Sequence, residues 1–130
     1  MKKSAIVFLS LILFFSCEDN RQAIHIIFGD DYSLSSGWCG TPPVLPAASI
    51  NGNTLYIGLF YEGDCTDHTF TLNEADGDDG LYIWLFHNAH GDTCQNPAWS
   101  GYSQLLSQSM IDAEHIFVLD PNDSGMIQIK

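Results

Sequence analysis

The chain has very few basic residues. Lysine and arginine together number four among 130 residues, against sixteen aspartates and glutamates. Binding to nucleic acid relies on lysine and arginine that neutralise phosphates, and an acidic surface repels phosphate instead. The composition therefore argues against nucleic acid as a partner and leaves cations or basic partners open. Apolar residues make up 45% of the chain, which is enough for a folded core.

The chain also lacks an apolar run long enough to cross a bilayer. Its N-terminal apolar run covers residues 5–15, shortly after an initial Met-Lys-Lys, whereas a spanning helix needs about 20 apolar residues. A basic start followed by a short apolar run is typical of a signal peptide. We therefore assign residues 1–16 to a signal peptide and exclude them from the fold.

The leader ends in Phe14-Phe15-Ser16-Cys17, and there the sequence resembles bacterial lipoprotein precursors. In that family a small residue precedes a cysteine that is lipidated and becomes the N-terminus. Ser16 and Cys17 match this pattern, whereas Phe14 and Phe15 depart from it. The resemblance implies acyl chains on Cys17, a tether over residues 17–22 and an outer-membrane location facing the periplasm or the cell surface. An ordinary signal peptide cleaved near Ser16 is the alternative.

Removal of residues 1–16 would make the protein more acidic still. Only Arg21 and Lys130 would remain of the basic residues, and the formal charge would become −14. Such a surface repels anionic lipid headgroups. We therefore expect the acyl chains, rather than a basic patch, to attach the protein to the membrane.

Three segments in the middle of the chain have the composition of strands. Residues 54–61 and 81–87 are rich in aliphatic and aromatic residues and are bounded by Gly, Asp and Asn. Residues 68–72 alternate apolar and polar side chains, which is typical of a half-buried strand. We predict that these three segments form an antiparallel meander.

Turn residues divide the rest of the chain into short segments. Asn51-Gly52-Asn53 predicts a tight hairpin, residues 95–97 predict a turn, and residues 102–110 fit either a short helix or a polar strand. With about seven short strands, residues 23–130 are predicted to form one all-β domain, an antiparallel β-sandwich or small barrel. The other predicted strands are residues 23–28, 47–50, 115–119 and 126–129.

Cysteine usage predicts a disulfide. Once Cys17 is lipidated, Cys39, Cys65 and Cys94 remain, and an envelope compartment is oxidising. The meander would bring the loops that carry Cys65 and Cys94 to the same end of the sheet, which favours this pair. Pairs that use Cys39 and a fully reduced state remain open.

The same convergence also suits a zinc site. Cys65, His68, His87 and Cys94 would supply two thiolates and two imidazoles, a donor set that fits tetrahedral zinc. His68 has another interpretation, as a core histidine that is hydrogen-bonded to backbone or to Asp92. We retain zinc as the alternative and expect no other cofactor.

A catalytic arrangement is the third interpretation of these residues. Cys65, His68 and Asp92 could act as nucleophile, base and orienting group. However, Glu62, Asp64 and Asp67 surround Cys65 in sequence and oppose its thiolate form. We therefore expect no enzymatic activity.

Two further patterns have less specific interpretations. Residues 74–80 have the alternate acids of a calcium loop but no glutamate at the bidentate position, so a solvated turn is preferred. Trp38, Trp99 and Tyr102 could form a stacking surface for glycans, although core packing of at least one tryptophan is preferred. Neither pattern identifies a ligand.

A longer motif in the middle third of the chain resembles small bacterial lipoproteins that have no assigned activity. The resemblance implies a shared site or staple and no particular chemistry. We therefore predict a lipid-anchored cell-envelope protein that acts as a non-enzymatic binding or structural module, with a protein or glycan partner; the alternative is a zinc-binding envelope protein. The matching residues are Tyr61, Gly63, Cys65, His68, Phe70, His87, Asp92 and Cys94.

Overall fold

The computed structural model of the protein describes residues 26–36, 46–122 and 125–130. Several features predicted from the sequence lie outside these residues: the signal peptide at residues 1–16, Cys17 with the tether over residues 17–22, Trp38 and Cys39. Among the described residues, no helix has the length and apolar character needed to span a bilayer.

Two four-stranded sheets make up the fold, which confirms the prediction of an all-β sandwich. The described residues contain eight strands and one short helix. The first sheet comprises β1 (Ser33–Leu34), β2 (Ala48–Asn51), β3 (Thr54–Gly63) and β6 (Asn96–Leu105). The second comprises β4 (Thr69–Asp76), β5 (Leu81–Asn88), β7 (Ile116–Leu119) and β8 (Met126–Gln128), and the helix α1 spans Gln108–Asp112.

Strand β3 is the centre of the first sheet. It pairs with β6 along its whole length on one side, and with β2 and then β1 on the other. The β2–β3 connection is the predicted hairpin, because Asn51 pairs with Thr54 and Gly52 has a φ of 61°. Glycine adopts this left-handed backbone conformation without a steric penalty.

The second sheet has the order β4–β5–β7–β8. Its apolar strand β5 lies in the interior, as its composition predicts. Strands β5 and β7 are parallel, whereas every other strand pair of the described residues is antiparallel. The chain leaves β5, forms β6 in the other sheet and returns through α1, so it enters β7 from the end at which β5 begins.

The core lies between the two sheets. Alternate residues of each strand point inward, which brings apolar side chains of β3 and β5 into the core. Met110 of α1 is fully buried as well, and the Ser107 side chain caps this helix by accepting a hydrogen bond from the Met110 amide. The buried side chains of the central strands are Leu55, Ile57 and Leu59 in β3 and Leu81, Ile83 and Leu85 in β5.

The predicted meander is wrong at its first pair. Strand β4 pairs with β5, but β3 lies in the opposite sheet and pairs with β6. Residues 64–68 form a connection that is too long for a tight hairpin, and Asp64 has a φ of 79°. The chain therefore crosses from one sheet to the other at this point.

Strand boundaries differ from the predictions elsewhere. Residues 26–28, the described part of the predicted strand at 23–28, form no strand, and only a bridge from Gly29 to His87 follows them. The turn predicted at residues 95–97 lies at the start of β6 instead. Proline is tolerated there because β6 pairs with β3 alone among the described strands.

The segment that fitted either a helix or a strand contains both. Strand β6 continues to Leu105 and α1 begins at Gln108. Trp99 and Tyr102 are three residues apart in β6, so their side chains point to opposite faces of the sheet. These two residues therefore do not share a glycan-stacking surface, which was the less favoured interpretation of their pattern.

Candidate functional site

The loops that follow β3 and β5 meet at one end of the sandwich. A disulfide joins Cys65 to Cys94 there, as the favoured pairing predicts. The two Cα atoms are 6.0 Å apart, within the usual range for a disulfide. This bond connects the β3–β4 crossing to the start of β6.

Asp92 organises the same two loops. Its carboxylate accepts hydrogen bonds from the backbone amides of Cys65 (2.8 Å), Thr66 (3.0 Å) and Cys94 (2.9 Å) and lies 3.0 Å from His68 Nε2. The hydrogen bond with His68 and these amides hold the pKa of Asp92 well below its usual range. The carboxylate is therefore ionised at neutral pH and ties the disulfide loops to the histidine beneath them.

A relay of two histidines continues inward from Asp92. His68 Nδ1 is 2.8 Å from His87 Nε2. His87 Nδ1 in turn lies 3.2 Å from the carbonyl oxygen of Asp30 and 3.1 Å from that of Asp31. One continuous chain of hydrogen bonds thus runs from the disulfide loops to residues 30–31.

The proton positions in this relay can be assigned from the partners. Carbonyl oxygens only accept, so His87 carries its proton on Nδ1 and accepts at Nε2 from His68. The two nitrogens of the His68 ring connect His87 to the Asp92 carboxylate. Burial of His87 lowers its pKa, because a second proton would place a desolvated charge beside His68. The relay therefore needs a neutral His87.

Aromatic rings pack around both histidines. His87 stacks on Phe70 with ring centroids 4.4 Å apart, and His68 stacks on Tyr61 at 4.6 Å. Gly63 is buried beneath His68, and a β-carbon at this position would collide with the His68 ring. The glycine in the Tyr61–Gly63–Cys65 motif is thus required by the close approach of the histidine.

A cleft of about 540 Å³ opens beside the relay, a volume in the range of small-molecule sites. Its lining is acidic on two sides, from Asp30 and Asp31 before β1 and from Glu62 at the end of β3. Phe60 provides an apolar wall, and it contacts Trp99 with ring centroids 5.0 Å apart. The cleft has the charge and the aromatic surface that favour a positively charged ligand.

The structure brings together the residues that the sequence singled out. Cys65, Cys94 and His68 contact Asp92, His87 lies behind His68, and His68 adopts the predicted hydrogen bond with Asp92. The cleft residues Asp30, Asp31, Phe60 and Glu62 were not predicted. Of these four, only Glu62 had a signal in the sequence, because it places a charge near the end of β3, the most apolar strand of the first sheet.

Zinc binding by the four predicted ligands stays a prediction. The two sulfurs are bonded to each other, and the facing nitrogens of His68 and His87 bond each other. Both sulfurs and one Asp92 oxygen lie within 4.8 Å of one another, so a metal could reach thiolates here only after the disulfide is reduced. The disulfide form offers no thiolate to zinc, and zinc binding by the reduced protein is a prediction.

Comparison of the chain with protein-family models, curated proteins and solved structures gives no match.

Proposed function

We propose that the protein is a lipid-anchored module of the bacterial cell envelope that binds a positively charged group in the acidic cleft. The observation that carries this proposal is the combination of Asp30, Asp31 and Glu62 with the Phe60 ring around one concave space. Carboxylates attract an ammonium or guanidinium group, and an aromatic face adds a cation–π contact. The proposed ligand is an amine or guanidinium compound, or a basic side chain of a protein partner.

The surrounding contacts support a preformed site. Asp30 accepts a hydrogen bond from the Ala89 amide at 2.7 Å, which joins residues 30–31 to the loop after β5. The His87 ring holds the carbonyls of the same two residues. Because the Asp30 carboxylate and the backbone of residues 30–31 are held in place before binding, a ligand loses less free energy in ordering them.

The same contacts favour a binding module over an enzyme. Both nitrogens of His87 and both nitrogens of His68 have partners within the protein, and His87 is only 1% exposed. A general base needs a nitrogen within reach of a substrate proton. The relay is thus better suited to holding the cleft than to proton transfer with a ligand.

Two variants with equal charge change test the cleft. We expect Asp31→Asn with Glu62→Gln to weaken binding of 1,5-diaminopentane about tenfold or more, because both acids face the ligand. Titration followed by amide chemical shifts of residues 30–31 and 60–62 measures this effect. Asp67→Asn with Glu114→Gln removes the same charge outside the cleft lining and should leave affinity within about twofold. Equal losses in both variants, or no binding to the unaltered protein, would rule out the cleft as a cation site.

The anchor has its own test. We expect Cys17→Ser to move the protein from the membrane fraction to the soluble fraction, because acyl chains are the proposed attachment. Fractionation with an antibody against the folded domain measures this shift, and Cys39→Ser is the matched control that should stay on the membrane. Membrane association that persists in Cys17→Ser would refute lipidation at this residue.

A further inference from the structure

One edge of the first sheet is long and uncharged. Strand β6 covers ten residues, Asn96–Leu105, and none of them is Asp, Glu, Lys or Arg. Within the described part of the chain, β6 pairs with β3 and with no other strand. An open strand edge of this kind is a template for pairing with another chain.

The other sheet edges in the described residues are protected. Strand β4 carries Glu74 and Asp76, and β8 has only three residues. The opposite edge of the first sheet is divided between β1 and β2, which have two and four residues. Short length and charge are the usual protection of sheet edges, and β6 has neither.

The pairing of β3 shows which backbone groups of β6 are free. Gly58 donates its amide to the Ala47 carbonyl (2.8 Å) and accepts from the Ser35 amide (2.9 Å), so it faces away from β6. Because backbone groups alternate along a strand, Ile57 and Leu59 face β6 and bond Tyr102 and Ser100.

The intervening residues of β6 direct their amides and carbonyls to the open edge. Their side chains lie on the outer face, where Trp99 is 42% exposed and Leu105 is 73% exposed. No backbone hydrogen bond to another described residue satisfies these outward groups. The four residues are Trp99, Gly101, Ser103 and Leu105.

We propose that a second copy of this chain pairs with β6 along this edge, in an antiparallel arrangement with its two-fold axis at Tyr102. The four residues with free backbone groups are placed symmetrically about residue 102. In this register Gly101 lies opposite Ser103 of the partner subunit, and Trp99 lies opposite the partner's Leu105. Every free amide and carbonyl finds a partner, and the two exposed apolar side chains cover each other.

Charge explains why two copies would meet at this strand and not elsewhere on their surfaces. The chain has a formal charge of −12 before processing, so most of its surface repels a second copy. Among the strand edges of the described residues, that of β6 is the one that is both long and uncharged. Pro97, which lacks an amide proton, falls outside the paired residues, so it does not interrupt the ladder.

A charged side chain introduced at Gly101 tests whether two copies pair along β6. A β-carbon at Gly101 would meet no atom within 4 Å, so side chains fit there without disturbing the monomer. The full-length protein carrying Cys17→Ser, which removes the acylation site, should show a concentration-dependent monomer–dimer equilibrium in sedimentation velocity. In that background Gly101→Glu should raise the dimer dissociation constant about tenfold or more, whereas Gly101→Gln, of similar size, should change it less than about threefold. A monomer at every concentration, or equal effects of Glu and Gln, would overturn the proposal.

Cross-linking tests the register. Opposite residues in a hydrogen-bonded antiparallel pair have Cα atoms about 5.5 Å apart, which suits a disulfide. In a Cys39→Ser background, mixing Gly101→Cys chains with Ser103→Cys chains should give a cross-linked dimer under mild oxidation. Mixing Gly101→Cys with Leu105→Cys chains is the off-register control and should give several-fold less. Equal or greater cross-linking in the control would contradict the proposed axis.

Discussion

Replacing Cys65 or Cys94 with alanine is expected to lower the free energy of unfolding by about 3–4 kcal/mol. The disulfide closes a loop with a sequence separation of 29, and its loss returns conformational freedom to the unfolded chain. Because both variants remove the same bond, each alone should cost about as much as the double variant. Urea unfolding followed by tryptophan fluorescence measures the three free energies.

Two controls separate the disulfide from other effects. All variants are made in a Cys39→Ser background, so that no unpaired thiol can exchange with the remaining cysteine. The unaltered protein treated with a dithiol reductant should then lose the same stability as the double variant. Additive losses from the two single variants, or no change on reduction, would show that the two residues contribute separately.

The variants also distinguish the disulfide from the zinc alternative. A chelator should leave the disulfide protein unchanged, whereas zinc added to the reduced protein would restore stability if Cys65 and Cys94 became metal ligands. If zinc restores stability, this end of the sandwich can exist either as a disulfide or as a metal site; if it does not, the disulfide is the one supported state.

Local patterns in the sequence predict much of the fold. Apolar residues in β3 and β5 mark both central strands, and Asn51-Gly52-Asn53 marks the hairpin between β2 and β3. The pairing of β3 with β6 was not predictable in the same way. Strand β6 alternates small and polar residues with Trp99 and Tyr102, so its period of two is weak, and a strand pattern does not identify its partner.

The sequence predicts only the part of the site that is formed by side chains. Cys65, His68, Asp92 and Cys94 follow from the turns that carry them, even though β3 lies in the other sheet, because the crossing connection still ends at the same end of the sandwich. The partners of His87 are backbone carbonyls of residues 30–31, which any residue type could provide. For this reason, the sequence contains no signal that these residues line the cleft.

Replacing His87 with alanine is expected to lower the free energy of unfolding by about 3–5 kcal/mol, because the variant removes a buried ring and leaves a cavity. The ring is stacked on Phe70 and bonded at both nitrogens, so His68 Nδ1 and the two carbonyls would also lose their partner. His115→Ala is the matched control. Its side chain is 46% exposed, so the change should stay within about 0.5 kcal/mol.

The pH dependence of stability tests whether burial keeps His87 neutral in the folded protein. Burial lowers the pKa of His87 below its ordinary value of 6.5, so the unfolded chain binds this proton more readily than the folded protein. The contribution of His87 is therefore complete above about pH 6.5 and is lost as the pH falls from there toward its folded-state pKa. His87→Phe keeps a ring against Phe70 but cannot titrate, so its unfolding free energy should fall less steeply between pH 7 and pH 5. If the two proteins lost stability in parallel over this range, the pKa of His87 would be the same in the folded and unfolded states, and burial would not keep the ring neutral.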